Sequence, residues 1–214
     1  KINDGEEYEI LFPPQKTPNV TARFQVIVRL KQGRNVIKLF NPVTSNADSE
    51  MYQYIRMGKA LQKATARVAK ERKQKEKPIV FSVCEWGWGK PYNWGAKAGN
   101  LWRTTPDIRP WWWWIKLIYE HTVKLYPYAS KGHYNDPDML EVGNGKLSYN
   151  QNVSHFSLWC MMNAPLILGN DLRNMSDQVK SIVTNRNMIA INQDPLAKQA
   201  KRVRKGAVDV LAKP

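Results

Sequence analysis

The chain has 214 residues, 43% hydrophobic and 24% charged, which are the proportions of a folded globular protein. Its formal net charge of +15 invites a nucleic-acid reading, but the lysines and arginines are scattered and no aromatic-basic recognition motif accompanies them, which argues against that partner. No apolar run approaches the roughly 20 residues of a membrane span, which argues against a membrane partner as well.

In chain order, Tyr8 to Phe12 reads as a strand and Pro13 to Pro18 as a loop. Phe24, Val26, Val28 and Leu30 then alternate with Arg23, Gln25 and Arg29, and after Gln32-Gly33 a second strand runs from Asn35 to Phe40, the signature of a β-hairpin. Residues 1–47 therefore read as part of a β-sandwich. Asp48 or Ser49 is placed to cap a helix from Glu50 to Lys73, in which Tyr54, Gly58, Leu61, Thr65 and Val68 form one stripe. The cationic cluster from Lys70 to Lys77 suits the negative end of that helix and a solvated face.

From Pro78 onward strands and helices alternate. The spacing predicts strands at about 79–84, 100–103, 133–136 and 164–169, with helices at Trp111 to Leu125, at Ser148 through Met161 behind a capping box, and at Ser176 through Thr184. Such alternation predicts an α/β fold with a parallel sheet covered by helices. Three of these strands end in chemistry: Glu85 after the first, Arg103 and Asp107 after the second, Asp136 and Asp138 after the third. A carboxylate just beyond a buried strand must be paired, hydrogen-bonded or neutralised, and perturbed acids gather at functional sites.

Five segments follow in order: Cys84-Glu-Trp86, Trp102-Arg-Thr-Thr-Pro-Asp107, Asn135-Asp-Pro-Asp-Met-Leu140, Ala164-Pro-Leu-Ile-Leu-Gly-Asn-Asp171 and Ile191-Asn-Gln-Asp-Pro195. Together they resemble the α-galactosidase (melibiase-like) family of retaining glycoside hydrolases, from about Asp48 to the C-terminus. The resemblance implies a partial (βα)8 TIM barrel, strands five to eight, preceded by part of a β-sandwich. Residues 1–47 become the C-terminal part of an inserted sandwich resembling a carbohydrate-binding module, 48–197 the second half of the catalytic barrel, and 198–214 the start of a C-terminal β-sandwich.

By the same resemblance, Asp107 is the acid/base, Glu85 and Arg103 hydrogen-bond sugar hydroxyls, Asp138 and Met139 line the pocket, and Trp86 offers an apolar face, with Trp88 a second candidate. The family's nucleophile is an Asp in a Lys-(Tyr/Phe)-Asp motif on the fourth strand, and neither form occurs in this chain. Retaining hydrolysis needs two carboxyl groups roughly 5 to 5.5 Å apart. The implied partners are therefore a missing N-terminal half-barrel and an α-galactoside oligosaccharide or polysaccharide, and the isolated chain is expected to be inactive. The Asp107 carboxyl must be protonated when substrate binds; a nearby nucleophile carboxylate and desolvation favour that form, and Arg103 opposes it.

Glu85 favours a bare 2-hydroxyl over an N-acetyl group, which ranks galactose ahead of N-acetylgalactosamine. β-L-Arabinopyranoside stays open as a substrate, and so does a non-catalytic sugar-binding role. Tyr134 replaces the Trp common before Asn-Asp-Pro-Asp, and Trp111 to Trp114 depart from the usual pattern, with core filling as their expected role. Two cysteines allow one internal bridge; in some relatives the Cys preceding this glutamate pairs with one beside the nucleophile, so a disulfide is implied. No metal or cofactor is expected: His121, His133 and His155 lack ligand spacing, and Gly143-Asn-Gly145 matches no phosphate loop. Compartment stays undetermined.

Overall fold

The computed structural model describes residue 3 and residues 29–37 and 46–214. The chain divides into two compact units, Lys1–Thr44 and Ser45–Pro214. In the first, Asn35 closes the bend at Gln32-Gly33: its Nδ2 donates to the Lys31 carbonyl (2.8 Å) and the Gly33 carbonyl (2.9 Å), and its Oδ1 accepts from the Lys31 amide (3.0 Å). The strands expected at 8–12 and 22–28 and the end of the one at 35–40 lie outside the described residues, as do the side chains of Asp48 and Ser49.

The second unit opens with α1, Asn46–Glu71. Of the expected stripe only Gly58 is buried; Tyr54, Leu61, Thr65 and Val68 are half-buried. The helix is seated by close backbone approach, since a Cβ at Gly58 would stand 1.9 Å from the Ala98 carbonyl oxygen. Tyr54, Met51 and Ile55 pack on the buried cluster of Val83, Trp94, Ala98 and Trp102.

Three short strands follow, β1 (Ser82–Val83), β2 (Leu101–Arg103) and β3 (Tyr134–Asp136), forming a parallel sheet in that order. Register pairs Val83 with Trp102, Trp102 with Asn135 and Arg103 with Asp136. The strands are shorter than their apolar runs: Ile79 and Val80 stand 52% and 71% exposed before β1, whose hydrogen-bonded neighbour among the described residues lies on one side only. The segment expected at 164–169 contributes one parallel bridge, Leu140 to Leu168, held by Leu140 N to Ile167 O (2.7 Å) and Gly169 N to Leu140 O (3.0 Å).

Helix α2 (Trp112–Thr122) tightens into a 3-10 segment, Val123–Tyr128, where Pro127 prevents continuation. Helix α3 (Tyr149–Met161) starts at the expected capping box, with Ser148 N donating to Gln151 Oε1 at 2.8 Å and Gln151 N to Ser148 Oγ at 3.3 Å. Ser176 caps α4 (Asp177–Val183). Helix α5 (Arg186–Asn192) was not read from the sequence, although Asn185 is a good cap and its Oδ1 accepts the Met188 amide at 3.1 Å.

Between sheet and helices lies an apolar core that includes Ile115, Ile118, Leu140, Val142, Phe156 and Trp159. Several of its polar members are satisfied internally, although His155 Nδ1 is buried without a partner. Asn135 Oδ1 accepts the Trp102 indole N–H (2.7 Å) while its Nδ2 donates to the Leu125 carbonyl and Gln199 Oε1, so this motif residue holds the frame. His155 is fully buried and burial pushes its imidazole down to about 3; the neutral ring accepts the Glu141 amide through Nε2 at 2.9 Å.

An antiparallel pair follows, β4 (Lys201–Arg204) and β5 (Val210–Ala212). Arg202 clasps it to α2, reaching Glu120 Oε1 at 2.7 Å and Asp209 Oδ2 at 3.0 Å.

Candidate functional site

Arg103, the last residue of β2, organises one group of side chains. Its Nη2 lies 2.6 Å from Asp138 Oδ2 and 3.2 Å from Asp107 Oδ1, and also donates to the Thr105 carbonyl at 3.2 Å. Arg103 and Asp138 are 11% and 15% exposed at the side chain, whereas Asp107 is 54% exposed, so the guanidinium is a buried hinge between an inner and an outer carboxylate.

Asp138 is fixed from several sides. Its backbone sits at φ +84°, a left-handed conformation unusual for a residue with a side chain. Four hydrogen bonds hold it there: Asp138 N to Asp136 Oδ1 (2.8 Å), Met139 N to Asp138 Oδ1 (2.7 Å), Ile108 N to Asp138 Oδ2 (2.9 Å), and the Trp159 indole N–H to the Asp138 carbonyl (2.8 Å). Asp136 itself is buried, and burial raises its carboxyl above the usual range although the Asp138 amide and Arg103 pull the other way. Met139 is half-buried, with its thioether over Gly169, where a Cβ would stand 2.7 Å from Sδ.

Glu85, following β1, occupies different surroundings. It lines an open cleft of 580 Å³ with Glu50, Gln53, Tyr54 and Met57 of α1 and with Cys84, Trp86 and Trp88. Its Oε2 accepts the Gly89 amide at 2.7 Å, and a Cβ at position 89 would come within 2.6 Å of that oxygen and push the carboxyl aside. Its Oε1 is buried with no hydrogen-bond partner. Burial pushes the Glu85 carboxyl up to about 7; the neighbouring Glu50 adds to the rise and the Gly89 amide opposes it. Trp86 is 44% exposed at φ +57°.

The structure thus brings Asp107, Arg103, Asp138 and Met139 into one cluster and sets Glu85 and Trp86 in the adjoining cleft under α1. Cys84 lies between them, its Sγ 4.0 Å from Arg103 Nη1 and its carbonyl accepting the Tyr54 hydroxyl at 2.8 Å. Arg103 Nε, like Glu85 Oε1, is buried without a partner. Two neighbouring strand ends therefore carry an unused donor and an unused acceptor, and native structures rarely bury such atoms without a purpose.

The sequence placed Asp107, Arg103, Asp138 and Glu85 around one cup; the direct Arg103–Asp138 ion pair and the approach of α1 to Glu85 were not read from it. The internal bridge that two cysteines would allow does not form: Cys84 is exposed and Cys160 buried, enclosed in α3 by the apolar core, and the structure holds no disulfide in support of the implied one. The expectation that Trp111 to Trp114 fill the core holds for Trp112 and Trp114, which pack against it, but Trp111 and Trp113 are 52% and 57% exposed. Among the described residues no three His, Cys, Asp or Glu side chains converge to hold a metal ion, and no helix is long and apolar enough to cross a membrane.

A parallel sheet with ionisable side chains gathered where its strands end is an arrangement of α/β enzymes that work at that face. Residues 31–194 match the family model described as alpha galactosidase A. The chain is 44% identical over 150 residues to the alpha-galactosidase A of Cellvibrio japonicus, covering 64% of this chain and 37% of that protein. It is 43% identical over 146 residues to an alpha-galactosidase of Oryza sativa, covering 68% and 35% respectively. Among solved structures, alpha-galactosidase I of Mortierella vinacea superposes with a TM-score of 0.67 at 28% identity, over 78% of this chain and 45% of that one. The Saccharomyces cerevisiae alpha-galactosidase with raffinose gives 0.63 at 28% identity, over 77% and 39%. The chain belongs to the α-galactosidase family of glycoside hydrolases. It spans 35 to 37% of the length of these curated relatives.

Proposed function

We propose that this chain supplies the acid/base half of a retaining α-galactosidase acting on terminal α-D-galactosyl residues. Asp107 protonates the glycosidic oxygen as the bond to the anomeric carbon breaks, and a nucleophilic carboxylate on the opposite side forms the galactosyl-enzyme. Asp107 then takes a proton from the water that releases the sugar. The nucleophile belongs to a part of the protein outside these 214 residues, in the half-barrel that would complete the sheet. In this reading β1, β2, β3 and the Leu168 rung are barrel strands five to eight, residues 1–47 belong to an inserted carbohydrate-binding-like sandwich, and β4–β5 open a C-terminal one.

The observation that carries the proposal is the Asp107–Arg103–Asp138 cluster at the strand ends, with two buried polar atoms close to those ends adding to it. Glu85 Oε1 and Arg103 Nε are buried and unpartnered, an acceptor and a donor at neighbouring strand ends. Sugar hydroxyls are donors and acceptors themselves and suit both kinds of group once the side chains covering these atoms turn aside. Asp107 is exposed enough to meet a glycosidic oxygen, and Arg103 fixes where its carboxyl stands; because that guanidinium favours the ionised form, the proton must be kept on Asp107 by the nucleophile carboxylate across the site.

In the full-length protein, Asp107→Ala should reduce cleavage of galactosides with poor leaving groups by about 10² to 10⁴-fold and affect activated aryl galactosides much less. Equal losses on both would remove Asp107 from the acid/base role. The 214-residue chain alone should not turn over aryl α-galactosides; turnover by it would mean that another of its own carboxylates attacks. Parallel assays on α-N-acetylgalactosaminides and β-L-arabinopyranosides rank the substrates, and sugar binding without hydrolysis by the full-length protein would favour a lectin-like role.

A further inference from the structure

Trp111 and Trp113 remain unexplained by packing. Their rings stack with centroids 5.7 Å apart and planes 18° from parallel, and Trp114 meets Trp113 edge-on at 5.3 Å. The stack is tied to the proton donor: the Trp114 indole N–H donates to the Asp107 carbonyl at 2.9 Å, and Trp111 follows Asp107 by four residues, between β2 and α2. Two large indoles presented to water on a rigid base form an apolar surface of the kind that marks binding sites. Trp113 also borders an open groove of 860 Å³ between α2, α3 and the turn joining β4 to β5, where Lys116, Ser154 and Ser157 alternate with the apolar Leu117, Val153 and Leu158. Aromatic faces interleaved with polar groups suit a saccharide, which has apolar C–H faces and a polar rim, better than the purely apolar face of a packed protein segment.

The acid/base stands at the leaving oxygen, so whatever lies outward from Asp107 meets the leaving group and not the galactosyl ring. On that basis we infer that Trp111 and Trp113 form a ledge for the leaving-group side of extended α-galactosides, binding the sugar units beyond the scissile bond. This rests on the acid/base assignment of Asp107 and adds the substrate class: oligosaccharides or polymers, with aryl galactosides too short to reach the ledge.

The test uses the full-length protein and its Trp111→Ala/Trp113→Ala variant on two substrates, an aryl α-galactoside and a galactosylated oligosaccharide of four or more units. The variant should raise KM on the oligosaccharide about tenfold, the loss of roughly one aromatic contact, with kcat unchanged and aryl kinetics within about twofold. Retained aryl activity also certifies that the variant folds. An unchanged oligosaccharide KM, or equal losses on both substrates, would overturn the ledge. If the wild type cleaves neither substrate the hydrolase reading fails, and quenching of tryptophan fluorescence by the oligosaccharide decides the ledge separately. Quenching abolished in the variant supports it, and no quenching in the wild type refutes it.

Discussion

Two carboxyl groups follow adjacent parallel strands and live under opposite rules. Asp107 is more than half exposed and leans on a guanidinium that a second, buried carboxylate also holds. Glu85 is half-buried, takes one backbone hydrogen bond, and keeps its other oxygen dry and unpaired with Glu50 nearby. The first region is organised by charge pairing and the second by desolvation. One sheet therefore offers a charge-matched pocket wall and, next to it, a carboxyl whose protonation changes near neutrality.

The largest effect should come from removing the hinge of the paired region. Arg103→Ala strands Asp138 beneath the surface, and breaking a buried pair in this way costs about 3 to 5 kcal/mol; urea denaturation of the purified protein measures it, and a loss below about 1 kcal/mol would show that Asp138 is solvated. Next comes the seat of the unpaired region. Gly58→Ala drives a methyl into the Ala98 carbonyl and should cost about 1 to 3 kcal/mol, because α1 must lift away.

Glu85→Gln separates the two rules by pH. The folded-state carboxyl titrates near 7, above its ordinary 4.5, so between those values the native state binds more protons than the unfolded chain and wild-type stability falls as pH rises. No cost is present below 4.5, and the full cost is present above 7. The variant should therefore gain on the wild type by about 1 kcal/mol between pH 4.5 and pH 8, a value reduced for partial solvent exposure. A difference independent of pH would place Glu85 in water. The smallest effect belongs to Asp107→Asn, an exposed partner, which should change stability by less than about 1 kcal/mol while greatly impairing activity.

Much of this was legible beforehand. Strand ends at Glu85, Arg103 and Asp136 were readable because apolar runs stop abruptly at charged residues, and the Ser148 capping box fixed a helix start by local chemistry. Strand lengths were not, because Ile79 and Val80 have the composition of a strand but pairing, not composition, makes one. Helix α5 escaped notice because seven residues carry little periodicity, and only Asn185 announced it. Within the site, Arg103 and Asp107 are four apart and could be linked on paper. Arg103 and Asp138 are far apart in sequence, and Glu50 meets Glu85 through tertiary packing, which no local pattern encodes.

The indole of Trp159 reaches out from the fully buried interior to grip the carbonyl of Asp138. The strand-end cluster and the protein interior consequently share one girder. Anyone altering this cluster must count this ring of α3 among its parts, since shrinking it would slacken the turn that aims Asp138 at Arg103 and leave the guanidinium without its anchor.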